Sequence, residues 1–239
     1  MENLDKYITE TTAAILGSAT SYSLRDKFCL WFYSIANKSI VELFELALDG
    51  SIIITEKTTK KRTIRLLSRS KSMESHLMEE ANKVILSHSD KKATEYEGLH
   101  YFVLTGPVDN PILIYIGLTG KYGRDGESLN LNLENLEKKR DFFARWGDDY
   151  ARHIGGLSNA ILNNGFPTEN KYRVWADYML EVKEAKVYPK FPIKFFALAW
   201  SKNMEDYLGR HLDLKQFEQA LIQELGPIIN SQVQKSISY

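Results

Sequence analysis

A chain of 239 residues with 31 basic and 31 acidic side chains carries no formal net charge, so nucleic-acid binding through global charge is excluded and any such binding has to come from local patches. The single cysteine, Cys29, excludes an internal disulfide and a cysteine-based zinc site; set in Phe28-Cys29-Leu30-Trp31-Phe32, it reads as a buried thiol. No apolar stretch reaches membrane-spanning length, and the first residues lack a signal peptide's basic start and apolar core, so a cytoplasmic protein with no membrane partner is expected.

Apolar residues at helical spacing predict a helix over 24–36 and a second over 40–48, closed by Asp49-Gly50. Strands follow at 52–55 and 63–67, around Lys57-Thr58-Thr59-Lys60-Lys61-Arg62, and then a helix over 73–87. Helix, helix and basic hairpin is the order of a winged helix, whose hairpin tip lies along the DNA backbone. Lys57, Lys60, Lys61, Arg62, Arg65, Arg69 and Lys71 stand against one acid, Glu56, a cluster able to neutralise several phosphates; the same pattern also suits a solvated hairpin tip. The polar stretch 87–95 lacks periodicity and reads as a linker, dividing the chain into a mostly helical region 1–95, for DNA binding or oligomerisation, and a second domain 96–239.

The second domain opens on the most informative segment. Gly98-Leu99-His100-Tyr101-Phe102-Val103-Leu104 and Leu113-Ile114-Tyr115-Ile116-Gly117 flank the turn formers Pro107-Val108-Asp109-Asn110-Pro111, which predicts a β-hairpin. A Gly- and Asn-rich loop over 117–132 precedes a helix over 133–151, a turn at Gly155-Gly156 and a short helix over 157–163. The run 172–182 fits a strand or a helix, 193–200 is a strand, and a last helix spans 212–225 before Gly226-Pro227. The fold class is α/β (α+β), a small three-stranded sheet flanked by helices, with a mostly helical N-terminal part that contains a basic β-hairpin.

Three positions depart from local rules. Glu218 lies within the apolar stripe Leu214, Phe217, Leu221 and Leu225; held there, a carboxylate needs a metal ion, an arginine or a raised pKa, unless it swings out to water. Arg145 forms a row with Asp149 and Arg152 beside the aromatic stripe Phe142, Trp146 and Tyr150, where a surface salt bridge to Asp149 is the plainer role. His100 sits mid-strand next to Tyr101, either as a core histidine or as a proton acceptor, although the two side chains of a regular strand face opposite ways.

In their order along the chain, these residues resemble the GIY-YIG nuclease superfamily. Tyr115-Ile116-Gly117 is similar to its second motif and Gly98-Leu99-His100-Tyr101 to its first. Arg145-Trp146 resembles the arginine motif, Arg152-His153 with 157–165 the segment after it, and Glu218 followed by Gly226-Pro227-Ile228-Ile229-Asn230 the closing pattern. The likeness covers about residues 96–232. Two features depart from the family. His100 stands where a tyrosine is usual, so the role passes to Tyr101 with His100 as alternative. The stretch between Arg145 and Glu218 is long, which leaves Arg140, Arg145 and Arg152 competing for one role.

The resemblance implies a divalent-metal-dependent DNA endonuclease of restriction or defence type. It implies Mg²⁺ on Glu218, with Mn²⁺ able to substitute. Arg145 would bind the scissile phosphate, and Tyr101 would act as base or orient the water, for which its pKa must fall. Tyr115 would polarise phosphate or nucleophile, Asn230 would support the site, and His153 would bind phosphate or relay a proton. Candidate nucleic-acid contacts are Lys57, Lys60, Lys61, Arg62, Arg65, Lys121, Arg124 and Arg152. Double-stranded DNA is the expected partner, cut by a homo-oligomer, dimer or tetramer, if sites are palindromic. The competing expectations are a catalytically inactive DNA-binding or scaffold protein on this fold, a structure-specific repair nuclease and an RNase.

Overall fold

The structure, a computed structural model, describes residues 22–36, 39–58, 62–89, 95–121, 144–148 and 152–230. In chain order its elements are α1 (Leu24–Ala36), β1 (Val41–Glu42), β2 (Ile54–Thr58), β3 (Thr63–Leu67), α2 (Lys71–Ser89), β4 (Tyr96–Thr105) and β5 (Ile112–Gly120). A 3-10 turn at Ala144–Trp146 precedes α3 (His153–Leu162), α4 (Asn170–Met179), β6 (Leu180–Lys183), β7 (Lys186–Pro189), β8 (Lys194–Ser201) and α5 (Leu214–Leu225).

The expected hairpin is present as β4 and β5, because two runs of aromatic and β-branched residues flank a proline-bounded turn. β8 pairs with the other side of β4, making an antiparallel sheet in the order β1-β8-β4-β5. The mixed helix-and-sheet class agrees with the expectation, but the sheet has a fourth strand. It comes from the region expected as a second helix: Val41 pairs with Phe195, and bridges join Phe44 to Arg69 and Leu46 to Ile52. Asp49-Gly50 is the turn between Leu46 and Ile52, not a helix end, and Asp49 accepts from Ser51 N at 3.0 Å.

Alternating side chains of the sheet feed two cores. One joins Leu99, Tyr101, Val103, Phe195 and Ala197 to α2, α3 and α4; the other joins Phe102, Ile116, Phe196 and Trp200 to α1 and α5. Each large aromatic side chain buried this way contributes about 2 kcal/mol. Both cores mix residues from before and after the polar stretch 87–95, so that stretch does not separate two cores, and the winged-helix order is not realised. Helix α2 also covers the open edge of β8. His76 Nε2 lies 3.0 Å from both the N and the O of Ala197, and Glu80 Oε2 accepts from Ala199 N at 2.8 Å. These contacts account for a histidine and a glutamate buried on one helix face.

Local signals explain where the last helix begins and ends. Asp213 accepts from Gln216 N at 2.8 Å while Gln216 Oε1 accepts from Asp213 N at 3.1 Å, a reciprocal cap, and Gly226 follows the last turn. Gly155 and Gly156, expected as a turn, lie inside α3. Of the helix expected over 133–151, only the 3-10 turn and Gly147-Asp148 fall within the described residues.

Candidate active site

Tyr101 lies in the central strand with Gly117 opposite it on β5 and Ala197 opposite it on β8. Two small neighbours leave room above the sheet at this point. The phenol is fully buried, and Thr119 lies beside it without the geometry of a hydrogen bond, so both hydroxyls are buried with no partner among the described residues. Burial pushes the Tyr101 pKa up, against smaller opposing contributions from Thr119 and the Arg145 charge.

Tyr115 shares this face. Its ring folds back over Gly117, where an added Cβ would stand 2.3 Å from the Tyr115 hydroxyl. Any side chain at position 117 would therefore displace the phenol. Burial raises the Tyr115 pKa, the Glu218 charge raises it further, and Arg145 opposes both.

Arg145 projects from the 3-10 turn, which is anchored by its neighbour. Trp146 is fully buried against Phe195 (5.1 Å between ring centroids) and His153 (4.8 Å), and Arg69 Nη1 donates to the Trp146 carbonyl at 2.8 Å. The arginine itself is exposed, yet its charge acts on Tyr101, Tyr115, His153 and Tyr172. Its expected partner Asp149, like the competing Arg140, lies outside the described residues.

His153 opens α3, packed on Tyr115 (5.8 Å) and Trp175 (5.1 Å). Burial, with the charges of Lys171, Arg145 and Arg152, holds its pKa well below the usual histidine range, so the ring is neutral. Arg152 stands at the N-cap position of α3.

Glu218 lies on α5, half-buried, with no hydrogen bond or ion pair to a described residue. Burial pushes its pKa up to about 7, offset in part by Lys215. Asn230 holds the outer edge of β5: its Nδ2 donates to the Ile116 carbonyl and its Oδ1 accepts from the Ile116 amide, both at 3.0 Å.

His100 does not join the others. It faces the opposite side of β4, against Phe217 (4.9 Å) and Trp200 (5.6 Å), with its pKa pushed down to about 3 by burial. The strand's alternation puts Tyr101, not His100, on the face shared with Tyr115.

The described cations of the basic hairpin also make contacts within the chain. Arg65 Nη2 donates to the Leu162 carbonyl at 2.8 Å, the Arg62 guanidinium lies 3.5 Å over the Phe166 ring, and Lys57 pairs with Asp148 at 3.4 Å. These cations dock the hairpin onto the end of α3 and the Arg145 turn. Lys121 is buried at the end of β5 near Glu97, not on a loop surface. Lys60, Lys61 and Arg124 lie outside the described residues.

Sequence reading missed Thr119, Tyr172 and Trp175. The two on α4 were part of a run that fitted either a strand or a helix, and only the packing of α4 against α3 places them at the site. Among the described residues no cluster of three or more His, Cys, Asp or Glu side chains is placed to hold a metal ion. A single desolvated carboxylate still suits Mg²⁺, which keeps most of its waters and takes one or two protein oxygens. Comparison with protein-family models, curated proteins and solved structures finds no match.

Proposed function

We propose that this protein is a Mg²⁺-dependent endonuclease, hydrolysing phosphodiester bonds at the face shared by Tyr101, Tyr115, Arg145 and His153, with Glu218 beside it. One observation carries the reading. Tyr101 and Tyr115 share one face of the sheet, where Trp146 and His153 pack on them next to the exposed Arg145, and Glu218 is a half-buried carboxylate with no hydrogen bond or ion pair to a described residue, its charge acting on Tyr115. A structural core has no use for such a desolvated carboxylate.

Each residue's part follows from its environment. Arg145 offers a charged, planar donor fork to a phosphate, and its exposure leaves it accessible to a polymer substrate. Tyr101 keeps its proton, because burial raises its pKa, so it orients a water by hydrogen bonding rather than removing the water's proton. Tyr115, its ring lying over Gly117, feels the Glu218 charge, which raises its pKa further. His153, neutral, contacts phosphate through a hydrogen bond instead of a charge. Glu218 would hold the divalent ion, which when bound supplies charge neutralisation at the phosphate. Asn230 sets the position of the Tyr115–Gly117 segment through Ile116.

DNA is the expected substrate and a restriction or defence role the expected setting; the resemblance of the motifs, more than any base-reading surface, favours both. The test is incubation with plasmid and phage DNA, branched DNA and RNA in Mg²⁺ or Mn²⁺. Discrete DNA fragments support a sequence-specific enzyme, and preferential cutting of branched DNA or RNA redirects the substrate. Failure to cut any of them, with wild-type protein bound to DNA, overturns the catalytic reading in favour of a scaffold.

A further inference from the structure

Helices α3 and α4 pack together, and at one point they approach closely. Tyr172 is buried on α4, and its ring lies so near Gly156 that a Cβ there would stand 2.3 Å from Cε2. This glycine lies three residues after His153, on the same side of α3. The approach brings the Tyr172 hydroxyl to 2.9 Å from His153 Nδ1, in a buried contact.

Three rings close around the imidazole: Trp146 at 4.8 Å, Trp175 at 5.1 Å and Tyr115 at 5.8 Å. None of these three rings forms a hydrogen bond with it. Tyr172 is its one hydrogen-bonding partner among the described residues, through Nδ1. The phenol has one proton, and Nδ1 is the one acceptor the described residues bring to it. A Tyr172 O–H that donates to Nδ1 satisfies that proton, and it leaves the proton of a neutral imidazole on Nε2.

We propose that Tyr172 is a positioning residue that fixes His153 in the Nε2–H tautomer, so that His153 offers the site a hydrogen-bond donor and not a proton acceptor. The tautomer stands on the contact together with the lack of another acceptor for the phenol among the described residues; only the assignment of Nε2–H to a phosphoryl oxygen rests on the nuclease reading. Gly156 is the partner in this device, since the phenol reaches Nδ1 only because nothing projects from position 156. The long stretch between Arg145 and β8 thus supplies a part of the site.

The test is long-range ¹H–¹⁵N correlation of the imidazole nitrogens in the full-length protein, with five histidines assigned by substitution. The wild type is expected to show His153 protonated on Nε2 alone, unchanged between pH 6 and 8. Tyr172→Phe, which keeps the ring and loses the donor, is expected to show a mixed or reversed tautomer and about tenfold or more slower cleavage. Gly156→Ala should move both readouts the same way. A wild-type His153 protonated on Nδ1, or an unchanged tautomer in folded Tyr172→Phe, overturns the proposal. If Tyr172→Phe does not fold, the wild-type spectrum alone decides. The expected tautomers in a protein that cuts no nucleic acid support the positioning role while removing the nuclease reading.

Discussion

Asn230 binds Ile116 as a neighbouring strand would: one amide side chain donates to the Ile116 carbonyl and accepts from the Ile116 amide, each at 3.0 Å. Asn164 does the same at Arg65 of β3, donating to the carbonyl at 2.7 Å and accepting from the amide at 3.0 Å. Both asparagines satisfy a strand edge that lacks a partner there. In β5 the satisfied residue lies between Tyr115 and Gly117, so the edge clamp also holds the phenol's backbone.

Replacing Asn230 with alanine strips both backbone groups of Ile116 of their partner. The expected cost is about 1–3 kcal/mol, which lowers Tm by several degrees. Amide exchange at Ile116 should accelerate and cleavage should fall even where the protein remains folded. Unchanged exchange at Ile116 would show that the clamp is not formed in solution.

Gly117→Ala places a methyl group where the Tyr115 hydroxyl lies. Overpacking of this kind costs about 1–3 kcal/mol, but the larger effect is on Tyr115, which has to leave its position over the strand. Activity should drop on the order of 10²-fold, the scale of losing one preorganised donor. Tyr115→Phe, which keeps the packing and loses the hydroxyl, should match it in rate while leaving Tm near wild type.

The raised pKa of Glu218 has a stability signature. Its carboxyl titrates near 7 in the folded chain against 4.5 ordinarily, so the folded state holds this proton more tightly than the unfolded one. Stability from this group is therefore present at pH below about 4.5 and is lost as pH rises through 7, where a bare charge is left half-buried. Glu218→Gln should raise Tm at pH 8 and leave it unchanged at pH 4. Mg²⁺ should raise the wild-type Tm at pH 8 and have no such effect on the variant.

Arg65 tests whether the hairpin cations serve the fold or a phosphate. Its guanidinium bonds the Leu162 carbonyl, so Arg65→Ala should lower Tm and open the 54–67 hairpin to proteolysis. The salt dependence of DNA binding should keep its slope; a slope reduced by about one would mean that Arg65 contacts a phosphate after all.

How far these features were legible in the sequence depended on the range of the forces behind them. The β4–β5 hairpin and α5 carry their own signals, proline-bounded turn formers in one and an apolar stripe stopped by Gly226-Pro227 in the other, and both were readable. The segment 40–48 is apolar enough for either a helix or a strand, and the pairing of Val41 with Phe195, more than 150 residues away, decides it. The β6–β7 hairpin was hidden because its two-residue turn, Glu184-Ala185, takes positive φ at both positions without the glycine or asparagine that usually marks such a turn. At the site, alternation separated His100 from Tyr101, but the small residues Gly117 and Ala197 on the neighbouring strands show which face is open. Tyr172 was unreadable for the same reason as β1: its role exists only across the contact with Gly156.

The most direct measurement of the central claim is plasmid cleavage in Mg²⁺ by wild type and by Glu218→Ala, with DNA binding measured in parallel. The account predicts that the wild type nicks or linearises the plasmid, and that the variant binds DNA with similar affinity but does not cut it. A folded Glu218→Ala variant that cuts at the wild-type rate would contradict it.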